Sequence, residues 1–516
     1  MNSPERITLH PLFLTAYMVL ALLAKNLAEF ESWVVVRPLI FALAATIILM
    51  LLFHLVLKDW QKTALSTTFV LVLFFTYGQL YIYLRENALF GYYLGRHRIL
   101  GPAYFVVLLL GLWFIRRLKK TATLNEIVNG ACLVLMFAPI FEISVWEIRA
   151  ASTQPVRTEN MGKSFIVPAH PPDIYYIILD SYTRNDILQN SFKFNNSQFT
   201  NNLRQMGFYV ANCSRSNYDE SELSLASSMN LTYLQSFGKD FSANGKDRML
   251  LYGLMTENQV RTILKASGYQ IVSFETGLHG EQWQDDDLYL APNKRSLLQS
   301  TFRPFEARLL NSTAAILLTD WRALSTSNTI DPLVSPYQYY INREQYKLAQ
   351  LTNMPGVAGP KFVFAHVLIP DAPMLFSADG SIQQDPGFYS NNGMPINTDY
   401  FVKGYTNQVQ YVNRQMLSIL GNIISQSKMA PIIVLQGDIG ITGDDQHAIL
   451  NAYFLPGGAE DWLYPTVSPV NTFRVIFNAY FRGHLPLLPD QSYFVDDAHG
   501  GQFVETRAGT AHCAIH

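Results

Sequence analysis

The decapeptide Pro171-Pro-Asp-Ile-Tyr-Tyr-Ile-Ile-Leu-Asp180 decides the fold. Two prolines close off whatever precedes it. Six consecutive apolar, β-branched or aromatic residues, Ile174 to Leu179, then run without alternation into Asp180. A continuous run of that length reads as a strand buried on both faces, as in a parallel sheet. Similar runs recur at Tyr269–Phe274, Phe362–Leu368, Pro431–Leu435 and Ile449–Leu455, each bounded by polar or turn residues. Segments with helical patterning lie between them, such as Thr256–Ala266 and Val402–Ser425. Strands alternating with helices predict an α/β domain with a mostly parallel sheet covered by helices on both faces. Ligands of such a sheet bind beyond the carboxyl ends of its strands. Two of these strands end alike, one at Asp180 and the other in Gln436-Gly437-Asp438. Two carboxylates at one sheet edge can hold a divalent cation. An aspartate after a strand also serves as a turn former or helix cap.

Upstream of the decapeptide the character of the chain changes. Charged residues are 15% of the 516, against roughly 25% in ordinary soluble domains. The shortfall belongs mainly to residues 1–150, which carry 13 Lys/Arg and 8 Asp/Glu, a net +5. Five apolar stretches, near 11–30, 35–57, 64–84, 100–115 and 127–146, approach the ~20 residues that cross a bilayer, the fourth being short. Five runs exclude a cleaved signal peptide. Lys25 is placed to snorkel, and Glu142 sits at an outer boundary or in a buried polar contact. Arg116, Arg117, Lys119 and Lys120 mark the loop between spans four and five as cytoplasmic, with Lys58, Lys62 and the N-terminus on the same side. An odd number of spans then puts residues 150–516 outside. The expected organisation is 1–149 transmembrane, 150–172 a polar, proline-rich linker, 173–490 an outer domain and 491–516 a tail. The acidic outer part excludes a general nucleic-acid binder. Cys213 and Cys513 lie 300 residues apart in that part, a spacing that favours unpaired thiols over a bridge.

"PPDIYYIILDSYTRNDIL" resembles the opening strand of the alkaline phosphatase/sulfatase superfamily, and more narrowly its membrane-anchored members. Lipoteichoic-acid synthases and phosphoglycerol transferases combine five spans with an outer catalytic domain, and phosphoethanolamine transferases have a related layout. "SRSNYDESELSLASSMN" resembles the nucleophile segment, and "FVFAHVLIPDAPMLF", "IIVLQGDIG" with "AILNAYFLPGG", and "LYPTVSPVNTFRVIFNAYF" resemble later segments. The resemblance implies Asp180 as the first acidic metal ligand and Ser221 as nucleophile and ligand, with Ser224 and Ser227 following in register. It implies Asp438 as the aspartate of an Asp-His pair. His366, Asp371 and His447 are the further candidates for substrate contact, and His366 is also readable as a core histidine paired with backbone. A serine at that place is equally a helix cap. Two positions depart from the pattern. Ile439 follows Asp438 where histidine is usual, and Asp371 stands where related proteins often have histidine. Asp371, Asp444, Asp445, His447, His499, His512 and His516 are the residues available to compensate.

Two functions follow as expectations. The first is an enzyme that transfers or hydrolyses a phospho- or sulfo-group on an envelope lipid or glycan. Its cofactor would be a divalent cation (Mn, Mg, Zn or Ca), and its partners membrane lipid or lipid-linked glycan. The second is a catalytically inactive scaffold or glycan-binding subunit working with envelope-assembly proteins, in which Ile439 packs into the core and seals the site. Either would be an integral protein of a plasma or inner membrane with its N-terminus cytoplasmic.

Overall fold

The computed structural model describes residues 8–27, 30, 32–86, 94–152, 165–237, 248–278, 280–292, 304–317, 337–383, 388, 398–441, 446–496, 501–506 and 513. Asp444, Asp445, His499, His512 and His516 lie outside them, as do 153–164 of the expected linker. The chain forms two compact units, Met1–Ser152 with Arg295–Tyr339, and Thr153–Lys294 with Tyr340–His516.

The first unit is a helical bundle: α1 His10–Ala24, α2 Val36–Leu57, α3 Trp60–Glu86, α4 His97–Arg117 and α5 Ala122–Ser152. Four of these helices are long and apolar enough to cross a membrane, and α1 is shorter. The short span is therefore the first rather than the expected fourth. Apolar side chains stay exposed on the outside of α2, α4 and α5, among them Phe41, Leu55, Phe105, Phe137 and Phe141. That is the pattern of helices solvated by lipid. Polar groups turn inward instead. His10 Nδ1 lies 2.5 Å from Thr68 and Nε2 2.7 Å from Asn125, and Thr15 meets Thr46 at 2.8 Å. Glu142 is exposed.

The sequence reading places residues 304–317 in the outer domain, but they cluster with this bundle. In the Pro304–Asn311 helix, Phe305 is buried among Val19, Leu23, Leu27 and Val35. Glu306 pairs with Arg37 at 3.3 Å, and Arg308 lies over the Phe30 ring. The chain then runs against α3, where the Ala314 N–H donates to the Phe74 carbonyl at 2.8 Å. Gly78 makes this approach feasible, since a Cβ there would stand 2.4 Å from the backbone of Ser312.

The second unit is built on a seven-stranded sheet in the order β2-β7-β6-β1-β5-β3-β4. The strands are β1 Ile174–Leu179, β2 Tyr209–Val210, β3 Gln270–Phe274, β4 Leu288–Leu290, β5 Lys361–Val367, β6 Ile432–Gly437 and β7 Asn451–Phe454. The five strands β6-β1-β5-β3-β4 are mutually parallel. β7 is antiparallel to β6, so the run at 449–455 corrects the expectation of a further parallel strand. β1 is buried at all six positions, which accounts for its unbroken apolar sequence. A separate hairpin, β8 Tyr493–Asp496 and β9 Gln502–Glu505, follows.

Cys213 and Cys513 form a disulfide with a Cα–Cα distance of 5.6 Å. This corrects the expectation of unpaired thiols. Sequence separation says nothing of spatial separation once the tail returns to the loop ahead of Ser221.

Candidate active site

Strand parity builds the site. Ile178 stands beside His366 on one side and Gln436 on the other, and Leu179 beside Val367 and Gly437. Strand side chains alternate between faces. Asp180, two residues past Ile178, and Asp438, two past Gln436, therefore share a face with His366. On that face Tyr176, Ile178, Phe364 and Val434 pack with residues of the Ser221–Met229 and Pro469–Tyr480 helices.

Ligand atoms of Asp180, His366 and Asp438 lie within 4.8 Å of one another. His366 Nε2 is 3.5 Å from Asp438 Oδ2 and 4.0 Å from Asp180 Oδ2. On the far side of the ring, Nδ1 is 2.8 Å from Glu281 Oε2. His366 and Asp438 have no exposed surface. Among the described residues, neither His366 Nε2 nor Asp438 Oδ2 has a hydrogen-bond partner. Buried polar atoms are rarely left so. If Nδ1–H is given to Glu281, the Nε2 lone pair faces two carboxylate oxygens, an arrangement that calls for a positive charge between them. Two carboxylates and an imidazole suit a borderline divalent cation such as Zn²⁺ or Mn²⁺.

The backbone fixes Asp438 firmly. Its Oδ1 accepts from the N–H groups of Ser181 at 2.9 Å and Ile439 at 2.7 Å. Ser181 has φ +55°, a left-handed turn that a non-glycine residue adopts at a cost, and such strain gathers at functional sites. Gly437 lets the strand end approach closely, since a Cβ would lie 2.5 Å from the Tyr182 carbonyl. Ser221 opens the Ser221–Met229 helix, one place after its Glu220 cap. Ser224, one turn on, donates to the Asp438 carbonyl at 2.8 Å and seats the helix start against the site. The Ser221 hydroxyl thus lies beside Asp438, at the positive end of a helix.

Charge balance agrees with the geometry. Burial, then the charges of Asp438 and Asp371, raise the Asp180 carboxyl well above its ordinary range. Burial also raises Asp371, to about 6, with Asp438 adding to it. Asp438 moves the other way. Burial opposes its ionisation, but His366, the Ser221 hydroxyl and the Ser181 N–H outweigh burial and lower its pKa. Burial lowers His366, yet Glu281, Asp438 and Asp180 together raise it well above 6.5. Lys347 donates to Glu344 at 3.1 Å and to the His366 carbonyl, and Glu344 accepts from the Leu368 N–H at 2.9 Å, so a buried ion pair braces the end of β5.

Of the residues singled out from sequence, Asp180, His366 and Asp438 converge, Ser221 stands beside Asp438, and Asp371 lies within electrostatic reach. His366, expected among the substrate contacts, stands with the ligands. His447 lies apart from that group. Its buried ring is 3.1 Å from the Ser216 hydroxyl, and the Ser216 N–H donates to its carbonyl at 2.7 Å, tying down the loop that leads to Ser221. Ile439 is half-buried. Glu281 escaped the sequence reading, for it sits in a loop with no motif around it.

Burial, and then the charge of Arg215, lower the His447 pKa to about 4. Its folded pKa lies below its unfolded value near 6.5, so between pH 6.5 and 4 the unfolded chain binds the proton and stability falls with pH. At about 1.4 kcal/mol per pH unit the loss approaches ~3 kcal/mol at pH 4. Unfolding of the detergent-solubilised protein should show this slope, and His447→Gln should flatten it.

No family model and no curated protein sequence matches the chain. Solved structures do. The C-terminal periplasmic domain of EptC from Escherichia coli in complex with Zn is 10% identical, with a TM-score of 0.41 over 66% of this chain and 95% of that one. The integral membrane lipooligosaccharide phosphoethanolamine transferase A from Neisseria meningitidis is 13% identical, with a TM-score of 0.38 over 92% and 95%. A putative sulfatase from Bacteroides thetaiotaomicron is 10% identical, with a TM-score of 0.37 over 61% and 72%.

Proposed function

We propose that the chain is a membrane-anchored, metal-dependent enzyme that moves a phospho- or sulfo-group through Ser221 on an envelope lipid or lipid-linked glycan. One observation carries this reading: two buried atoms, His366 Nε2 and Asp438 Oδ2, lie near Asp180 with no hydrogen-bond partner among the described residues, beside a serine at a helix start. Asp180, His366 and Asp438 would hold the cation, with Ser221 at its edge. A divalent cation there supplies the charge that lowers a serine pKa and offsets a transferring anionic group. Ser221 Oγ attacks phosphorus or sulfur in line, the bond to the leaving oxygen breaks with its electron pair, and the Ser221 proton passes to that oxygen. The helix N-terminus stabilises the anionic group on Ser221. A second attack, by water or a sugar hydroxyl, releases that group and returns the proton to Ser221. Asp371 is suited to hold a proton here.

The placement of the second unit outside the cytoplasm draws support from the basic loop after α4 and from the Cys213–Cys513 bridge, since disulfides persist in oxidising compartments. Membrane anchoring favours a lipid substrate.

A second reading has its own observation. His366, raised well above 6.5, can carry the positive charge itself as imidazolium between Glu281 and Asp438. That state would fill the cation's place in an inactive binding subunit. Chelation separates the two. In the enzyme reading, EDTA abolishes turnover of a lipid phosphodiester or aryl sulfate by full-length protein, and Zn²⁺ or Mn²⁺ restores it. Intact mass spectrometry during turnover should show a phospho- or sulfo-adduct on Ser221. Turnover unaffected by EDTA would refute the metal role, and absence of any turnover or adduct would favour the second reading.

A further inference from the structure

The loop between β3 and β4 carries a group that the proposed chemistry does not yet use. Glu281 is 1% exposed, and its Oε1 lacks a hydrogen-bond partner among the described residues. Burying a carboxylate this far is costly unless a charge answers it. Its Oε2 lies 2.8 Å from His366 Nδ1. Trp283 delivers it there. The indole stacks on Phe364, with ring centroids 4.7 Å apart, and its Nε1–H donates to the Gly280 carbonyl at 3.1 Å. Phe364 and His366 project from the same face of β5, so the tryptophan that pins the loop sets Glu281 against the histidine. Arg261 lies over the indole, 5.6 Å from its centre, and pairs with Asp286 at 2.7 Å to close the loop.

We infer that Glu281 is a positioning residue that holds the Nδ1–H tautomer of His366 and thereby presents Nε2 as a cation ligand. This rests on the metal-enzyme reading above. Neutral imidazole carries its proton on either nitrogen, and the partner of one nitrogen decides which one is free for a metal. A carboxylate behind a ligand histidine fixes ring orientation and raises its basicity, and its loss typically weakens metal affinity 10- to 100-fold.

The test is Zn²⁺ titration by calorimetry on full-length protein in detergent, comparing wild type, Glu281→Ala and Glu281→Gln. The amide of Gln still offers an oxygen to Nδ1–H, so Glu281→Gln should lose less than about tenfold and Glu281→Ala about 10- to 100-fold. The ¹⁵N shifts of the His366 ring in the metal-free protein, at a pH where the ring is neutral, should report a protonated Nδ1 in wild type and Glu281→Gln, and mixed tautomers in Glu281→Ala. A role in stability alone would leave the ¹⁵N pattern unchanged. Wild-type affinity in Glu281→Ala would overturn the inference and leave the metal-enzyme reading standing. A wild type that takes up no zinc would overturn both.

Discussion

Asp438→Asn is expected to remove the bound cation and lower turnover on the order of 10³-fold, about 4 kcal/mol of transition-state stabilisation, without unfolding the protein. The expectation follows from how Asp438 divides its two oxygens. Oδ1 accepts from the Ser181 and Ile439 N–H groups, and an asparagine Oδ1 can accept from the same two donors. Oδ2 faces His366 Nε2 at 3.5 Å with no partner among the described residues. The Asn Nδ2 would place an N–H donor there and satisfy both orphaned atoms. Stability should therefore hold or rise while metal binding collapses, because a ligand oxygen becomes a donor. Repair of a strained buried site at the expense of activity is a familiar trade-off. Thermal unfolding and metal analysis of the variant check the two halves separately. Lost stability together with retained metal would contradict the assignment of Oδ2 as a ligand.

Ser221→Ala is expected to cost about 10⁴-fold in turnover and to abolish the covalent adduct. Its effect on metal should be far smaller than that of Asp438→Asn. The Ser224 N–H donates to the Glu220 carbonyl at 3.0 Å and the Ser224 hydroxyl to the Asp438 carbonyl, so loss of the Ser221 hydroxyl leaves both contacts of the helix start in place. The lost group is the attacking oxygen, which alanine cannot replace. Kinetics should show kcat falling with KM little changed, the signature of an interaction made only in the transition state. Undiminished turnover in Ser221→Ala would remove the serine from the chemistry, and a neighbouring hydroxyl, such as that of Ser181, would have to be tested in its place.

The sheet was legible because its central strands carry their burial openly. Six unbroken apolar residues in β1 admit no exposed face, and the sequence shows this without any partner. The direction of β7 was not legible, since the local pattern is the same whichever way a buried strand runs. The membrane spans followed from composition. The Pro304–Asn311 segment did not, because it is short and carries Glu306 and Arg308. Its partners Arg37 and Phe30 are separated from it by most of the chain, and only folding brings them together. The site divides in the same way. Asp180 and Asp438 were found because each directly ends a strand. The residue after Asp438, where the resembling pattern has its imidazole, is Ile439, which reads as a damaged site. The imidazole comes from β5 instead, placed by a register that pairs His366 with Ile178, and no single segment encodes that register. Glu281 needs a further step, a loop held down by Trp283 on Phe364. Glu281, absent from the sequence reading, and the place of His366 beside the two aspartates both depend on pairing between strands or on packing at long range.

The central claim is a divalent cation held jointly by Asp180, His366 and Asp438, and anomalous X-ray scattering from crystals of the full-length protein grown with Zn²⁺ tests it most directly. The account predicts one strong zinc peak about 2.0–2.2 Å from His366 Nε2 and from carboxylate oxygens of Asp180 and Asp438. No peak at that position, with His366 Nε2 instead donating a proton directly to Asp438, would contradict it.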